Sequence, residues 1–194
     1  MALHDDRTAM ADSDELSLDE WFERLERMPV PEGFKVEIVE GNVFLFPQRQ
    51  THWEITLGLV EQLLARYPQS RTASDVRIDF PGHLNGFASD VAAFVEGATK
   101  TPEGRWRHED VEFVAEVISK GTAVNDYGPK KAAYATAKVP VYLVVDPYVG
   151  RCRVFTQPKD GDYASELTVD FGVDVDLGDT PVGLTLSTGE FPRD

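Results

Sequence analysis

The stretch VEFVAEVISKGTAVNDYGPKKAAYATAKVPVYLVVDP, residues 111–147, decides the fold of this chain. Its two ends, VEFVAEVIS and VPVYLVVDP, are short, rich in β-branched residues and bounded by turn residues, which is typical of buried strands. Between them the sequence predicts a helix with Asp126 as its N-cap and with Gly128 and Pro129 in its first turn. Strand, helix and strand in this order form a βαβ unit, so we expect the two strands to lie parallel in one sheet.

Glu116 is the residue of this stretch that points to chemistry, because it lies inside the apolar run VAEVIS. Burying an ionised carboxylate without a partner costs several kcal/mol. We therefore expect a cation beside Glu116. The candidates are a metal ion and the ammonium groups of Lys120, Lys130 and Lys131.

Length and composition are those of an ordinary globular protein. The 194 residues are 42% hydrophobic and 27% charged, which suits one domain with a sizeable core. We predict that residues 1–16 are disordered or loosely attached and that residues 17–194 form a single domain. The lone cysteine, Cys152, excludes an internal disulfide framework, suits a reducing cytoplasm and is predicted to fill the core. No apolar run is long enough to span a bilayer, and the acidic start does not resemble a signal peptide.

The net charge of −15 argues against a general nucleic-acid coat, which would need a basic surface. The charge is uneven, however. Residues 97–159 carry ten Lys and Arg against seven Asp and Glu, whereas residues 160–194 carry nine acids against Arg193 alone. The middle of the chain could therefore face a polyanion.

Outside residues 111–147, the pattern predicts two helices and several short strands. Ser17 and Glu20 form a capping-box pair before a helix over 18–28, and a second helix covers 51–67 with His52 at its start. FKVEIVEGNVFLF predicts a hairpin around Gly41-Asn42, with Lys35, Glu37 and Val39 on one face. Further strands are expected at 74–80, at 89–95, at RCRVFT and in the C-terminal part.

The loop over residues 97–110 groups Arg105, Trp106, Arg107 and His108. Such a cluster could grip phosphates and stack on a base. It could equally be a surface loop whose tryptophan is anchored on the body of the protein.

Asp90, in SDVAAF, is a second acid in an apolar strand, and neighbouring strands could bring it to Glu116. Two carboxylates a few Å apart repel each other unless one holds a proton or a cation lies between them. Oxygen ligands without a His or Cys cluster favour Mg²⁺ or Mn²⁺ over Zn²⁺. With a nearby lysine, the pair would make a phosphodiester-cleaving site. The alternative is a pair of solvated acids at strand ends.

The chain resembles the Uma-type group of restriction-endonuclease-like proteins, formerly a bacterial domain of unknown function, within the PD-(D/E)XK nuclease superfamily. The resemblance covers roughly residues 17–150. It rests on EIVEGNVF, on His52 to Ile55, on Ser89-Asp90-Val91, on Glu116-Val117-Ile118-Ser119 followed by Thr122, Asp126, Lys130 and Tyr134, and on the run from Val139 to Pro147.

The resemblance implies that Asp90 and Glu116 bind the metal and that Lys130 is catalytic. The superfamily's lysine normally lies two residues after the second acid, where this chain has Ile118, and it looks relocated to the following helix. Lys131 would replace Lys130 if the helix phase differed by one residue. Ser89 stands where the family has a proline, which affects the backbone more than the metal site.

Glu37 and His52 also match family positions, and Glu37 is either a further acid at the site or a surface charge. The implied fold is α/β, with a mixed central β-sheet flanked by helices, as in restriction endonucleases. The implied function is Mg²⁺- or Mn²⁺-dependent endonuclease cleavage of nucleic acid, with DNA as the expected substrate, in the cytoplasm and in a form that could be a homodimer. The alternatives are a nuclease-fold protein without turnover that binds nucleic acid or a protein partner, and an ordinary protein–protein module.

Overall fold

The structure is a computed structural model that describes residues 16–28, 34–47, 49–119, 121 and 123–194. The chain divides into two compact units, residues 1–31 and 32–194. The prediction of a disordered start falls on residues that, except for Leu16, lie outside the described part. The prediction of a single domain over 17–194 stays a prediction.

In the first unit, α1 (Leu18–Glu26) begins with the predicted capping box. The Ser17 hydroxyl accepts a hydrogen bond from the Glu20 backbone N–H, and the Glu20 carboxylate accepts one from the Ser17 backbone N–H. The two bonds satisfy backbone donors that a helix start leaves without a partner. The helix ends two residues earlier than the pattern predicts.

The second unit alternates short strands with three helices among its described residues. In chain order its elements are β1 (Phe34–Val39), β2 (Asn42–Pro47), α2 (Gln50–Leu63), β3 (Thr72–Ala73), β4 (Ile78–Phe80), β5 (Asn85–Phe87), β6 (Val91–Phe94), β7 (Trp106–Arg107), β8 (Val111–Val117), α3 (Ala123–Tyr127), α4 (Pro129–Thr136), β9 (Val141–Asp146), β10 (Arg151–Lys159), β11 (Asp162–Asp170), β12 (Val175–Asp176) and β13 (Thr185–Leu186).

A six-stranded mixed sheet, in the order β11-β10-β9-β8-β6-β3, forms the centre of this unit. A five-stranded sheet has the order β2-β1-β5-β4-β7, and β12 pairs with β13. Within the central sheet, β8 and β9 are parallel and the other neighbours are antiparallel. The predicted α/β class with a mixed central sheet is confirmed.

The βαβ unit is present, because β8 and β9 pair in parallel from Phe113 with Val141 to Val117 with Val145. The predicted cap is wrong. Asp126 lies within α3, and Gly128 is the N-cap of α4, which starts at Pro129. A separate short helix before the proline takes the aspartate away from the cap position and buries it.

The two faces of the central sheet pack against different layers. On one face, Ile55, Leu59 and Leu63 of α2 join a cluster with Ala115 of β8 and Leu143 of β9. On the other face, α4 and side chains of the five-stranded sheet cover the strands in a second apolar cluster. Cys152 is fully buried in the first cluster, so its predicted role as a core residue is confirmed.

The β1–β2 hairpin is correctly predicted, but its turn lies one residue earlier. Val39 pairs with Asn42, so the two turn residues are Glu40 and Gly41, and both have positive φ angles (48° and 75°). This is the backbone that two-residue hairpin turns need. The strands predicted over 74–80 and 89–95 are shorter than expected, at Ile78–Phe80 and Val91–Phe94.

The segment predicted as a polar loop, 97–110, contains β7 and a 3-10 helix, His108–Asp110. Trp106 stacks on Phe94 with 4.0 Å between ring centroids. This contact is the one expected if residues 97–110 are a surface loop whose tryptophan is anchored on the body of the protein. Contact of the neighbouring arginines with nucleic acid stays a prediction. None of the helices in the described part of the chain is long and apolar enough to cross a membrane.

Candidate active site

Two buried acids meet where β6 and β8 run side by side. Val91 pairs with Ala115 in antiparallel register, so Asp90 and Glu116 lie one residue beyond this pair on adjacent strands. The Val117 backbone N–H donates to Oδ2 of Asp90 at 2.7 Å, which ties the Asp90 carboxylate to the neighbouring strand. Both acids are at most 2% exposed. The structure therefore brings together the two residues proposed as metal ligands.

Asp90 is held by two basic groups from outside the central sheet. Nζ of Lys35, on β1, lies 2.5 Å from Oδ1 of Asp90, and Nε2 of His52, in the first turn of α2, lies 3.1 Å from Oδ2. Burial acts to raise the pKa of Asp90, but Lys35 and His52 outweigh it and hold this pKa well below its usual range. Asp90 is thus ionised at neutral pH.

Glu116 is held from α4. Nζ of Lys130 lies 2.7 Å from Oε1 of Glu116, and the Tyr134 hydroxyl donates a short hydrogen bond to the same oxygen. Tyr134 also shares a 2.9 Å hydrogen bond with the hydroxyl of Ser89. Burial raises the pKa of Glu116 to about 8, although Lys130 and Lys35 act to lower it. Two neighbouring carboxylates with pKa values pushed apart in this way are common at functional sites.

Lys130 is surrounded by acids. Its Nζ lies 3.0 Å from Oε2 of Glu37, 2.7 Å from Oε1 of Glu116 and 3.3 Å from Oδ1 of Asp126. Burial acts to lower the pKa of Lys130, but these carboxylates outweigh it and raise the pKa well above its usual value. Lys130 therefore carries a positive charge beside Glu116. Of the three lysines considered for this place, Lys131 instead pairs with Asp162, and Lys120 lies outside the described residues.

Lys35 is the site residue that the sequence analysis missed. For Glu37 the sequence left two interpretations, a further acid at the site and a surface charge, and the structure places it in the wall of the pocket. The Lys35 side chain is 8% exposed and Glu37 is fully buried. Glu37 accepts a hydrogen bond from the Ala88 backbone N–H at 2.9 Å as well as those from Lys130. The available signal was the alternation K-V-E-I-V, which puts Lys35, Glu37 and apolar Val39 on one strand face. Two charges that share a face with a core residue indicate a buried polar site.

These side chains line one pocket, which reaches from the acids to Phe46 and Pro47 of β2 and to Asn125 of α3. The predicted residues Asp90, Glu116 and Lys130 all lie in its wall, together with His52, which the sequence placed at a helix start. Among the described residues, no group of three or more His, Cys, Asp and Glu side chains is arranged to hold a metal ion.

Comparison with known proteins places the chain in a family. A family model described as "Uma2: Putative restriction endonuclease" matches residues 22–189. The chain belongs to this Uma2 family. Comparison with curated proteins gives no match.

The fold of this Uma2 family member is also found in a solved structure. It resembles the crystal structure of a "putative nuclease belonging to DUF820" from Anabaena variabilis ATCC 29413, with a TM-score of 0.66 and 16% sequence identity over 91% of this chain and 97% of that one. At this identity the likeness shows the fold alone. The resemblance drawn over roughly residues 17–150 is confirmed at the level of the family.

Proposed function

We propose that this protein is a Mg²⁺- or Mn²⁺-dependent endonuclease that hydrolyses phosphodiester bonds in nucleic acid, with DNA as its substrate. The observation that carries the proposal is the convergence of Asp90, Glu116 and Lys130 in one pocket of a chain that belongs to a family described as putative restriction endonucleases. A homodimer and a cytoplasmic location stay predictions from the sequence.

The donor set fits a hard divalent cation. Asp90 and Glu116 offer carboxylate oxygens from adjacent strands, and Mg²⁺ commonly takes one or two carboxylates and completes its coordination with water and substrate phosphate. The ion would supply Lewis-acid charge to the scissile phosphate and a more acidic water molecule. Asp90 supplies the permanent negative charge for binding, because Lys35 and His52 keep its pKa low.

The remaining side chains orient the acids and place charge. Lys130 and Tyr134 hold one oxygen of Glu116 and thereby fix the rotamer of that carboxylate. The Lys130 ammonium lies on the first turn of a packed helix, so it loses little freedom when it stabilises negative charge on a nearby phosphate. His52 and the Val117 N–H fix the orientation of Asp90.

One observation favours the alternative, a nuclease-fold protein without turnover. Lys35 and Lys130 already pair with Asp90 and Glu116, and such a network of buried ion pairs can serve structure alone. The net charge of −15 adds a general repulsion of polyanions. A cleavage assay separates the two functions.

The assay incubates the protein with supercoiled plasmid, single-stranded DNA and structured RNA in Mg²⁺, Mn²⁺ or EDTA. Wild type should cleave DNA only with a divalent ion. Asp90→Asn and Glu116→Gln should each lower the rate by about 10²-fold or more, the scale of a lost transition-state contact. Asp170→Asn and Glu166→Gln, which remove exposed carboxylates on β11, are the matched controls and should cleave like wild type.

Equal cleavage in EDTA would contradict the metal dependence. No cleavage of any substrate by wild type would favour the alternative without turnover. Activity that survives in Asp90→Asn and Glu116→Gln would place the active site elsewhere in the protein.

A further inference from the structure

Each of the two acids has one oxygen held by its surroundings and one that faces Lys35. Oδ2 of Asp90 accepts from the Val117 N–H and contacts His52, while Oε1 of Glu116 contacts Lys130 and accepts from Tyr134. The other two oxygens, Oδ1 of Asp90 and Oε2 of Glu116, lie 2.5 Å and 3.9 Å from Nζ of Lys35.

These are the two oxygens that a cation shared by both acids would use. An ammonium group and a divalent ion cannot both occupy that place, because like charges at such a distance repel strongly in a buried site. We propose that Lys35 acts as a built-in cation: with no divalent ion bound, it bridges Asp90 and Glu116, and the ion must displace it to bind. Lys35 then weakens metal affinity and keeps the two acids together until the ion arrives.

The structure also offers Lys35 a place to go. The lysine comes from β1 in the five-stranded sheet, so it can withdraw without a change in the strands that carry the acids. Oδ1 of Asp75 lies 3.7 Å from its Nζ, and the Asp75 side chain is 30% exposed, so the ammonium can keep a partner nearer to solvent. The lysine side chain is flexible and its ammonium is a compact point charge, which suits such a movement. Lys130, by contrast, is enclosed by three carboxylates and should stay.

The first test measures Mn²⁺ binding by calorimetry. Lys35→Met removes the charge and keeps most of the side chain, so it should bind Mn²⁺ about tenfold or more tightly than wild type, a change that corresponds to about 1.4 kcal/mol. Lys35→Arg keeps the charge and should bind no more tightly than wild type. Lys131→Met removes a lysine that pairs with Asp162 and should leave the affinity unchanged.

Thermal unfolding gives a second measurement on the same variants. Without the ammonium, the buried and ionised Asp90 loses the ion pair that Oδ1 makes with Lys35, so Lys35→Met should unfold at a lower temperature than wild type in EDTA, and Mn²⁺ should restore most of the difference. An equal loss of stability in EDTA and in Mn²⁺, with unchanged or weaker Mn²⁺ affinity, would overturn the proposal and leave Lys35 a purely structural role.

Lysine labelling of wild type tests the movement without any substitution. Reductive methylation followed by peptide mass spectrometry should find Lys35 protected in EDTA and labelled several-fold faster in Mn²⁺, with Lys130 protected in both. Equal protection of Lys35 in both conditions would overturn the displacement, even if Lys35→Met does not fold.

The inference rests on the proposed metal site, and the two can fail separately. If neither wild type nor Lys35→Met binds Mn²⁺, the proposed function fails together with the inference. If wild type binds Mn²⁺ and cleaves DNA while Lys35→Met has unchanged affinity, only the role of Lys35 fails.

Discussion

The two faces of the central sheet are built by the same strands but differ in chemistry. Towards α2, β8 presents Phe113, Ala115 and Val117, which pack in an apolar cluster. Towards α4, the same strand presents Val114 and then Glu116, which sits in a network of buried ion pairs. Because side chains alternate along a strand, one residue separates a position that serves packing from a position that serves chemistry. The apolar face should therefore set stability, and the charged face should set activity.

The largest effect is expected on the apolar face. Leu59→Ala removes a fully buried side chain of α2 and should lower the free energy of unfolding by about 2–5 kcal/mol. Denaturant unfolding measures this change. The matched control is Leu57→Ala on the same helix, where the side chain is 38% exposed and the loss should be small.

The same variant tests whether the two faces are independent. Folded Leu59→Ala should bind Mn²⁺ with the affinity of wild type, since no acid of the site is touched. A tenfold weaker affinity would show that packing under α2 positions His52 and Asp90, and the division between the faces would be wrong.

The sequence predicts the apolar face better than the charged one. The periodic apolar residues of α2 and the β-branched runs of β8 and β9 carry their own signal, so helix, strands and parallel pairing are confirmed. Short strands such as β3 and β7 are set by tertiary contacts and leave little pattern. The buried site depends on residues far apart in the chain, such as Lys35 and Asp90, whose meeting no local pattern shows.

Lys130→Ala comes next and concerns the charged face. Removing the ammonium should lower the cleavage rate by about 10²-fold, because Lys130 is the charge held beside Glu116 on a packed helix. Mn²⁺ binding should survive, since Asp90 and Glu116 remain. Lys131→Ala on the same helix and Lys120→Ala should cost little. If Lys120→Ala is inactive and Lys130→Ala is active, the assignment of the catalytic lysine is wrong.

A smaller effect is expected from Tyr134→Phe. The ring keeps its edge contacts with Phe80 and Phe87, but the hydrogen bonds to Glu116 and Ser89 are lost. Loss of a buried hydrogen bond costs about 1–3 kcal/mol when a partner is left unsatisfied, so the cleavage rate should fall by about tenfold as Glu116 loses its orientation.

The control for this change is Tyr163→Phe, which removes a hydroxyl that donates to the Val139 carbonyl and does not contact the acids. When it is fully folded, Tyr163→Phe should cleave at the rate of wild type. Equal loss of rate in the two variants would mean that Tyr134 acts through stability and not through Glu116.

The smallest effect concerns Cys152, which tests whether the apolar face excludes water as fully as its packing implies. Burial raises the pKa of the Cys152 thiol to about 12, from an ordinary value of 9.0. The thiolate is the reactive form, so native protein between pH 8 and 10 should not react with a disulfide reagent, whereas protein unfolded in guanidinium should react faster as the pH rises. The pKa of this thiol is higher in the folded protein than in the unfolded chain, so the free energy of unfolding depends on pH. The contribution of the thiol to stability is complete below about pH 9 and is lost as the pH rises towards 12. Native labelling at the rate of the unfolded chain would show that the α2 face opens readily, and the apolar face would then not be the stable side of the sheet.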